Sequence, residues 1–257
     1  LLLPHGQRIF NVAIRTIQLN RGQAIYGVGG GITWYSTWES EYREVHQKAA
    51  VLYRKQARFQ LITTGKISQK NLLFEDQHLE RLRKASRYFA FPFDAEDLRQ
   101  KIEAECQACD VNQDYRLRIS LSKSGELEVD RQVLTPLSIS FCQAKLCLQE
   151  ANLQQAFTYF KTTYRPHLNL GEQEIIYHNK SGELLETSIG NLVLKIDGKL
   201  YTPPIRLGIL PGIYRQHLLE TGEVEEKILT LADFAQAEAI YGCNAVRGLY
   251  ELSLEEN

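Results

Sequence analysis

Residues 184–191 read Leu-Leu-Glu-Thr-Ser-Ile-Gly-Asn, so that Glu186 lies in an apolar run that ends in small residues. A carboxylate buried among apolar groups is costly unless a cationic partner faces it. Immediately downstream, residues 192–196 and 199–202 are predicted to form a hairpin around Asp-Gly at 197–198, a strong signal for a two-residue turn. We therefore expect Glu186 to need a cation, and a protonated pyridine nitrogen would be one.

A lysine precedes this stretch, between the aromatic pair Tyr159-Phe160 and the threonines Thr162-Thr163. An amine pressed among apolar groups has a lowered pKa, and the neutral amine can form a Schiff base with a carbonyl carbon. Lys161 is therefore a candidate for covalent catalysis. For the neighbouring Arg165, a structural role is the alternative to a role in the site.

Two further segments are candidates for binding a phosphate. Residues 208–215 read Gly-Ile-Leu-Pro-Gly-Ile-Tyr-Arg and lead into a predicted helix over 212–219, whose first N–H groups would lack partners within the helix. Arg81, in an amphipathic helix that is predicted to begin at Asp76, could supply a bidentate contact. Taken alone, the first segment is a plain turn-to-helix junction and the second a solvated helix charge.

Five motifs then occur in a fixed order: His-Leu-x-Arg-Leu at 78–82, Phe-Lys-Thr-Thr-x-Arg at 160–165, Leu-Glu-Thr-Ser-Ile-Gly-Asn at 185–191, Thr-Pro-Pro at 202–204 and Leu-Pro-Gly-Ile-x-Arg at 210–215. Together they resemble the aminodeoxychorismate lyases. Those are pyridoxal-phosphate enzymes of fold type IV, related to the branched-chain and D-amino-acid aminotransferases. The resemblance covers about residues 57–253. It implies an α+β protein with two α/β-type domains and the cofactor in the cleft between them.

The resemblance also implies roles for individual residues. Lys161 would be the Schiff-base lysine, and later the base that takes a proton from the substrate and the acid that assists the leaving group. Glu186 would pair with the pyridine nitrogen, and Arg81 would hold the phosphate. Further donors to the cofactor would come from the backbone of Ile213 and Tyr214 and from Asn244.

The implied reaction converts 4-amino-4-deoxychorismate to 4-aminobenzoate and pyruvate, a step of folate biosynthesis. Because the substrate carries two carboxylates, we expect cationic contacts. The candidates are Arg247, near the C-terminal phosphate segment, and Arg116 and Arg118, which share one face of a predicted strand. A surface position is an equal alternative for each. Thr64, at the end of the first lyase strand, is a further catalytic candidate.

Alternatives remain at this point. A fold type IV aminotransferase would use the same Lys161, Glu186 and Arg81, so these residues do not distinguish the two reactions. A non-catalytic fragment associated with a synthase is a different class of answer, and an intact Lys161 argues against it.

The N-terminal residues resemble another family. Phe-Asn-Val-Ala-Ile-Arg-Thr at 10–16, the glycine-rich residues 27–31 and Trp34-x-Ser36 are similar to the C-terminal end of aminodeoxychorismate synthase component I, a chorismate-binding enzyme. Tyr35 stands where that family usually has Asp. Since synthase and lyase catalyse consecutive steps and fused forms exist, we expect the chain to be the end of a bifunctional protein.

The resemblances predict three domains. Residues 1–55 would be the end of the chorismate-binding domain, residues 56–150 the small lyase domain and residues 151–257 the large cofactor-binding domain. Other patterns predict strands over 9–19, 59–64, 115–121, 134–141 and 174–178, helices over 95–106 and 232–240, and an extended segment over 243–250.

Composition limits the partners. The 30 Lys and Arg residues against 31 Asp and Glu give a net charge of −1, and hence no global attraction to nucleic acid or to an anionic membrane. No apolar run approaches the roughly 18 residues that cross a bilayer. The five cysteines fit ordinary thiols in a reducing cytoplasm, and we expect no metal site.

The chain begins with Leu1 and has no Met, so we expect a processed protein or a piece of a longer one. The lyase resemblance further implies a homodimer that acts on a small molecule.

Overall fold

The computed structural model describes residues 16–53, 57–149, 156–171 and 173–254, and the chain divides into two compact units, Leu1–Ala57 and Arg58–Asn257. The first unit contains an antiparallel hairpin and one helix: β1 (Ile17–Asn20), β2 (Gln23–Tyr26) and α1 (Trp38–Tyr53). The predicted strand over 9–19 is described only from residue 16 on, and its earlier residues lie outside the described part.

The second unit begins with a small antiparallel sheet in the order β4-β3-β5-β6. Its strands are β3 (Leu61–Ser68), β4 (Asn71–Leu72), β5 (Tyr115–Leu121) and β6 (Leu127–Val133). Two helices, α2 (Glu75–Phe89) and α3 (Ala95–Gln107), connect β4 to β5.

The two helices form because apolar residues recur at helical spacing. Leu79 and Leu82 of α2 are buried, as are Leu98 and Ile102 of α3, and all four belong to the core that this sheet and its helices share. Asp94 caps α3, since its side chain accepts from the first free backbone N–H groups of that helix. The packing fixes the position of α2, which carries Arg81.

The rest of the second unit contains a larger sheet in the order β12-β11-β10-β13-β14-β7-β8-β9. Its strands are β7 (Gln143–Leu148), β8 (Ile175–His178), β9 (Leu184–Thr187), β10 (Asn191–Ile196), β11 (Lys199–Thr202), β12 (Glu225–Glu226), β13 (Ala239–Asn244) and β14 (Gly248–Leu254). One residue pair, Glu186 opposite Asn191, also joins β9 to β10. The six strands from β10 to β9 therefore form a closed ring.

Short helical segments connect these strands: α4 (Ile139–Cys142), α5 (Ala156–Tyr159), a 3₁₀ turn (Ile205–Leu207), α6 (Ile213–Glu220) and α7 (Leu231–Gln236). The predicted turn at 197–198 is confirmed, with φ of 50° at Asp197 and 73° at Gly198 between β10 and β11. The α+β class is confirmed, because helices pack on one sheet and connect the strands of the other. Within the described residues, no helix is long and apolar enough to cross a membrane.

Two sequence predictions are wrong. Residues 134–141 form no strand, because Ser138 caps the single helical turn α4 with a hydrogen bond from the Phe141 backbone N–H. The helix predicted over 232–240 ends at Gln236, and Ala239–Asn244 pairs as β13 between β10 and β14. Strand β7 was not predicted from the sequence, and it belongs to the large sheet although it precedes residue 150. The predicted division of the lyase region at residue 150 stays a prediction.

Candidate active site

A cavity of about 410 Å³ lies between the two sheets of the second unit. The small sheet contributes residues of β3 and β5, and the large sheet contributes the ends of β9, β10 and β13. It brings together most of the residues predicted from the sequence: Thr64, Arg81, Arg116, Arg118, Lys161, Glu186, Ile213, Asn244 and Arg247. One compact site therefore contains an amine, a carboxylate and several guanidinium groups.

The backbone around Lys161 is attached to the start of β3. The Ile62 N–H donates to the Lys161 carbonyl at 2.9 Å, and Thr163 exchanges two hydrogen bonds with Gln60. Burial lowers the pKa of Lys161 well below its usual value, and the positive charges of Arg165 and Arg81 lower that pKa further. The backbone at Lys161 is therefore held in place, and the lowered pKa favours the neutral, nucleophilic form of the amine.

Glu186 is buried in β9, with 2% of its surface exposed. Its Oε2 accepts from the Leu210 backbone N–H at 3.3 Å, whereas its Oε1 has no hydrogen-bond partner. Burial raises the pKa of this carboxyl to about 7, although the charges of Arg165 and Lys161 act in the opposite direction. The unpartnered oxygen is a site for a proton donor from a ligand.

Arg81 reaches from α2 to the segment that precedes α6. Its Nη2 donates to the Pro211 carbonyl at 2.7 Å. Burial lowers the pKa of Arg81 to about 10, with a further contribution from the charge of Arg165. The guanidinium thus lies beside the N-terminus of an eight-residue helix, where backbone N–H groups are free to bind an anion.

The two predicted donors at the start of α6 differ in position. Ile213 lines the cavity, but the Tyr214 side chain does not. Its ring instead packs against Phe74, with centroids 6.1 Å apart, and against His217, at 5.8 Å. The role predicted for Tyr214 concerned only its backbone N–H, and that role stays a prediction.

The turn after β13 forms another part of the wall. The Asn244 Oδ1 accepts from the backbone N–H groups of Val246 and Arg247, both at 2.9 Å, and its Nδ2 lies 3.4 Å from the Ile189 carbonyl. Asn244 therefore uses most of its hydrogen-bonding capacity to hold the turn between β13 and β14. A direct contact of this side chain with a cofactor stays a prediction.

The predicted substrate-side arginines line the cavity as well. Arg118 is the cross-strand partner of Thr64 in β3, and Arg116 lies two residues earlier on the same strand face. Arg116 donates to the Gln132 side chain at 3.0 Å, and Arg247 donates to the Thr135 carbonyl. All three residues line the cavity, and their contact with a substrate stays a prediction.

Sequence reasoning missed two residues of this site. Arg165, for which a structural role was the alternative, lines the cavity beside Lys161. Asn191 lines it too and donates from Nδ2 to the Leu210 carbonyl at 2.8 Å, which fixes the loop before α6. The four-residue spacing from Lys161 to Arg165 was a signal for the first. The second ends the motif over 185–191, but the motif assigned it no role.

Two family models match the chain. The model described as amino-transferase class IV matches residues 60–253, and the model described as chorismate binding enzyme matches residues 1–54. A probable branched-chain-amino-acid aminotransferase from Thermotoga maritima is 25% identical over 203 residues, covering 70% of this chain and 73% of that protein. An aminodeoxychorismate lyase from Saccharomyces cerevisiae is 31% identical over 119 residues, covering 36% of this chain and 32% of the yeast protein.

Solved structures share the fold. A putative amino-acid aminotransferase from Mesorhizobium loti superposes with a TM-score of 0.66 at 26% identity, covering 77% of this chain and all of that chain. A putative 4-amino-4-deoxychorismate lyase from Legionella pneumophila gives a TM-score of 0.60 at 22% identity, covering 77% and 83%. The pyridoxal-phosphate-bound form of a hypothetical aminotransferase from Mycobacterium tuberculosis gives 0.64 at 19% identity, covering 76% and 81%. The family match extends over most of the second unit and over the whole cavity, and the chain belongs to the amino-transferase class IV family.

Proposed function

We propose that this chain is a pyridoxal-phosphate-dependent lyase that converts 4-amino-4-deoxychorismate to 4-aminobenzoate and pyruvate. The observation that carries the proposal is the single cavity in which Lys161, Glu186 and Arg81 occur together with more arginines than one phosphate needs. Relatives that bear the name aminodeoxychorismate lyase support it.

The residues of the cavity fit pyridoxal phosphate. The buried Glu186 Oε1 lacks a donor, and a protonated pyridine nitrogen would supply one. Lys161 has the lowered pKa that a Schiff-base lysine requires. Arg81 and the free N–H groups at the start of α6 would hold the phosphate. When bound, the cofactor supplies an electron sink for the carbon that carries the substrate amino group.

The protein residues then divide the remaining work. The Lys161 Nζ takes the proton from C4 of the substrate ring and donates a proton to the departing enolpyruvyl group, which leaves as pyruvate. Glu186 keeps the pyridine nitrogen protonated because its carboxylate accepts that hydrogen bond. Loss of the side chain makes the ring aromatic, and this aromatisation drives the step.

The substrate side of the cavity supports a dicarboxylate. Arg118 and Arg247 carry guanidinium groups into the cavity from two different structural elements, so that two carboxylates can be bound at separate places. Thr64, directly opposite Arg118 across the strand pair, adds a hydroxyl on the same face. We assign these three residues to substrate binding and orientation.

The N-terminal match supports the same substrate class. A chorismate binding enzyme model matches residues 1–54, and an aminated chorismate is what the proposed lyase consumes. We propose that the chain belongs to a fused synthase–lyase, in which the two activities catalyse consecutive steps.

A second candidate is an aminotransferase reaction on the same cofactor residues. The Thermotoga maritima relative, which aligns with 70% of this chain, bears an aminotransferase name and favours this alternative. Lys161, Glu186 and Arg81 would serve both reactions equally, so only product analysis separates them.

The test begins with the visible absorption spectrum of the full chain after addition of pyridoxal phosphate. We expect a yellow band that borohydride traps in the wild type and that is absent in Lys161→Ala. The control Lys180→Ala, at an exposed lysine, should keep the band. 4-Aminobenzoate formed from 4-amino-4-deoxychorismate supports the lyase, transfer of the amino group to a 2-oxo acid supports the aminotransferase, and absence of the band in the wild type refutes both.

A further inference from the structure

Arg165 is a cavity arginine whose guanidinium has no hydrogen-bond acceptor in the part of the chain that the structure describes. It follows Lys161 by four residues and lines the same cavity. Within the described ranges, its guanidinium makes neither a hydrogen bond nor an ion pair with another residue, and only its backbone carbonyl accepts, from the Leu168 N–H at 3.1 Å. Arg165 is half-buried, and a cation that is partly removed from water is costly unless an anion comes to it.

The other cavity arginines differ in this respect. Arg81, Arg116 and Arg247 each donate to an oxygen of the protein. Arg118 is also without such an acceptor in the described part of the chain, and we have assigned it to the substrate. Burial lowers the pKa of Arg165, whereas the charge of Glu186 reaches Arg165 and raises that pKa. The proposed function uses that carboxylate for the pyridine nitrogen, so Arg165 has no hydrogen-bonded anion of its own among the described residues.

The charged and titratable groups around Arg165 leave its positive charge without a dedicated anion. Its positive charge lowers the pKa values of Lys161, Arg81 and Glu186, so it lies within electrostatic reach of all three groups. Among the described residues that line the cavity, Glu186 is the one carboxylate, and the proposed function already pairs it with the pyridine nitrogen. The adjacent His167 is buried with both ring nitrogens unpartnered, and a neutral imidazole brings no negative charge.

We propose that Arg165 is an anion-binding residue of this cavity, whose guanidinium pairs with an oxyanion of the bound ligand. The planar fork of donors suits both carboxylate and phosphate oxygens. The proposal rests on the proposed function, since it takes the ligand to be pyridoxal phosphate with a carboxylate substrate. The oxyanion then comes either from the cofactor or from the substrate.

Titration calorimetry on the full chain freed of cofactor distinguishes these sources. The neutral variants Arg165→Gln and Arg165→Met are compared with wild type and with Arg206→Gln, an exposed arginine outside the cavity. The probes are pyridoxal phosphate, pyridoxal and 4-aminobenzoate. We expect at least one Kd to rise about tenfold or more in both Arg165 variants and to stay unchanged in the control.

The pattern of losses identifies the oxyanion. A loss for pyridoxal phosphate alone indicates the phosphate, equal losses for both pyridoxal forms indicate the ring oxygen, and a loss for 4-aminobenzoate alone indicates the substrate carboxylate. Unchanged affinities for all three probes in either variant, with a wild-type circular dichroism spectrum, overturn the proposal. Using two neutral variants keeps the test available if one of them does not fold.

A separate outcome of the same titrations shows whether the proposed function, rather than the role of Arg165, is wrong. If the wild type binds none of the three probes, the proposed function fails, and inorganic phosphate then serves as the probe. A rise in melting temperature with phosphate that depends on Arg165 supports the anion site by itself. The same rise in wild type and variants, or no rise in wild type, overturns it.

Discussion

Gly212 lies so close to Asn191 that a Cβ atom added at Gly212 would come within 1.9 Å of the Asn191 Oδ1 atom. The same Asn191 donates from Nδ2 to the Leu210 carbonyl at 2.8 Å. A strand of the closed ring therefore fixes the loop before α6, and only a residue without a side chain at position 212 allows this approach.

Gly212→Ala should weaken the binding of pyridoxal phosphate about tenfold or more. The added methyl group must displace either Asn191 or the start of α6, and the backbone N–H groups that would bind the phosphate move with it. Titration followed by the visible spectrum measures the loss. Gly171→Ala is the control, because its Cβ would meet its nearest neighbour, the Asn169 Oδ1, at an ordinary 3.7 Å. Wild-type affinity in Gly212→Ala would show that the phosphate binds elsewhere.

Glu186 should make the cofactor-free protein less stable as the pH rises. Its carboxyl keeps its proton up to a pKa of about 7 in the folded chain, whereas the ordinary pKa of a glutamate, expected in the unfolded chain, is 4.5. The unfolded state therefore loses the proton first, and stability falls between these two pH values by about 3 kcal/mol.

Glu186→Gln should remove this decline, because an amide does not titrate. Urea unfolding of the cofactor-free chain at a series of pH values measures the effect. Glu103→Gln, at an exposed position of α3, should follow the wild-type curve. A decline of wild-type size in Glu186→Gln would assign the pH dependence to another group.

Arg118→Gln should raise the KM for 4-amino-4-deoxychorismate about 10- to 100-fold while leaving the Kd of pyridoxal phosphate unchanged. The guanidinium faces the cavity beside Thr64 and is assigned to a substrate carboxylate, and a charge-assisted hydrogen bond accounts for a loss of this size. Steady-state kinetics and cofactor titration measure the two quantities. Arg87→Gln, exposed on α2, is the control. Equal losses in cofactor and substrate affinity would place Arg118 at the cofactor instead.

Removal of residues 1–57 should leave 4-aminobenzoate formation unchanged. The described residues that line the cavity belong to the unit Arg58–Asn257, and that unit has its own hydrophobic cores. The rate per bound cofactor, compared with that of the full chain, checks this. A truncated protein that retains its cofactor and its circular dichroism spectrum but has lost activity would contradict the prediction.

The small sheet and its helices could be predicted because their apolar residues follow one period. Leu79 and Leu82 mark the buried face of α2, and the strand predicted over 115–121 coincides with β5. The larger sheet could not be predicted in full. Strand β7 buries only Ala144, so it shows no regular alternation, and β13 follows the short helix α7 with alanines that also suit a helix.

The candidate site shows the same division. The family motifs locate Lys161, Glu186 and Arg81, because each of these residues occurs within a short motif of neighbouring residues that can be recognised in the sequence. Arg165 belongs to the same motif, but its significance depends on the absence of a protein acceptor, and this is a property of the folded chain rather than of the spacing. Asn191 acts through a hydrogen bond to a residue 19 positions away, which no local pattern reveals.

The pairing of Glu186 with Asn191 closes the six-strand ring at the same place that carries the proposed partner of the pyridine nitrogen. A substitution that displaces the backbone at Glu186 therefore disturbs the pairing that closes the ring. Arg116 and Arg118 lie on a strand of the other sheet, and they can be substituted without altering that pairing. One wall of the cavity is thus constrained by the strand pairing that closes the ring, and the wall formed by β5 is free of that constraint. Attempts to give this scaffold a new substrate should begin with β5 and leave the ring intact.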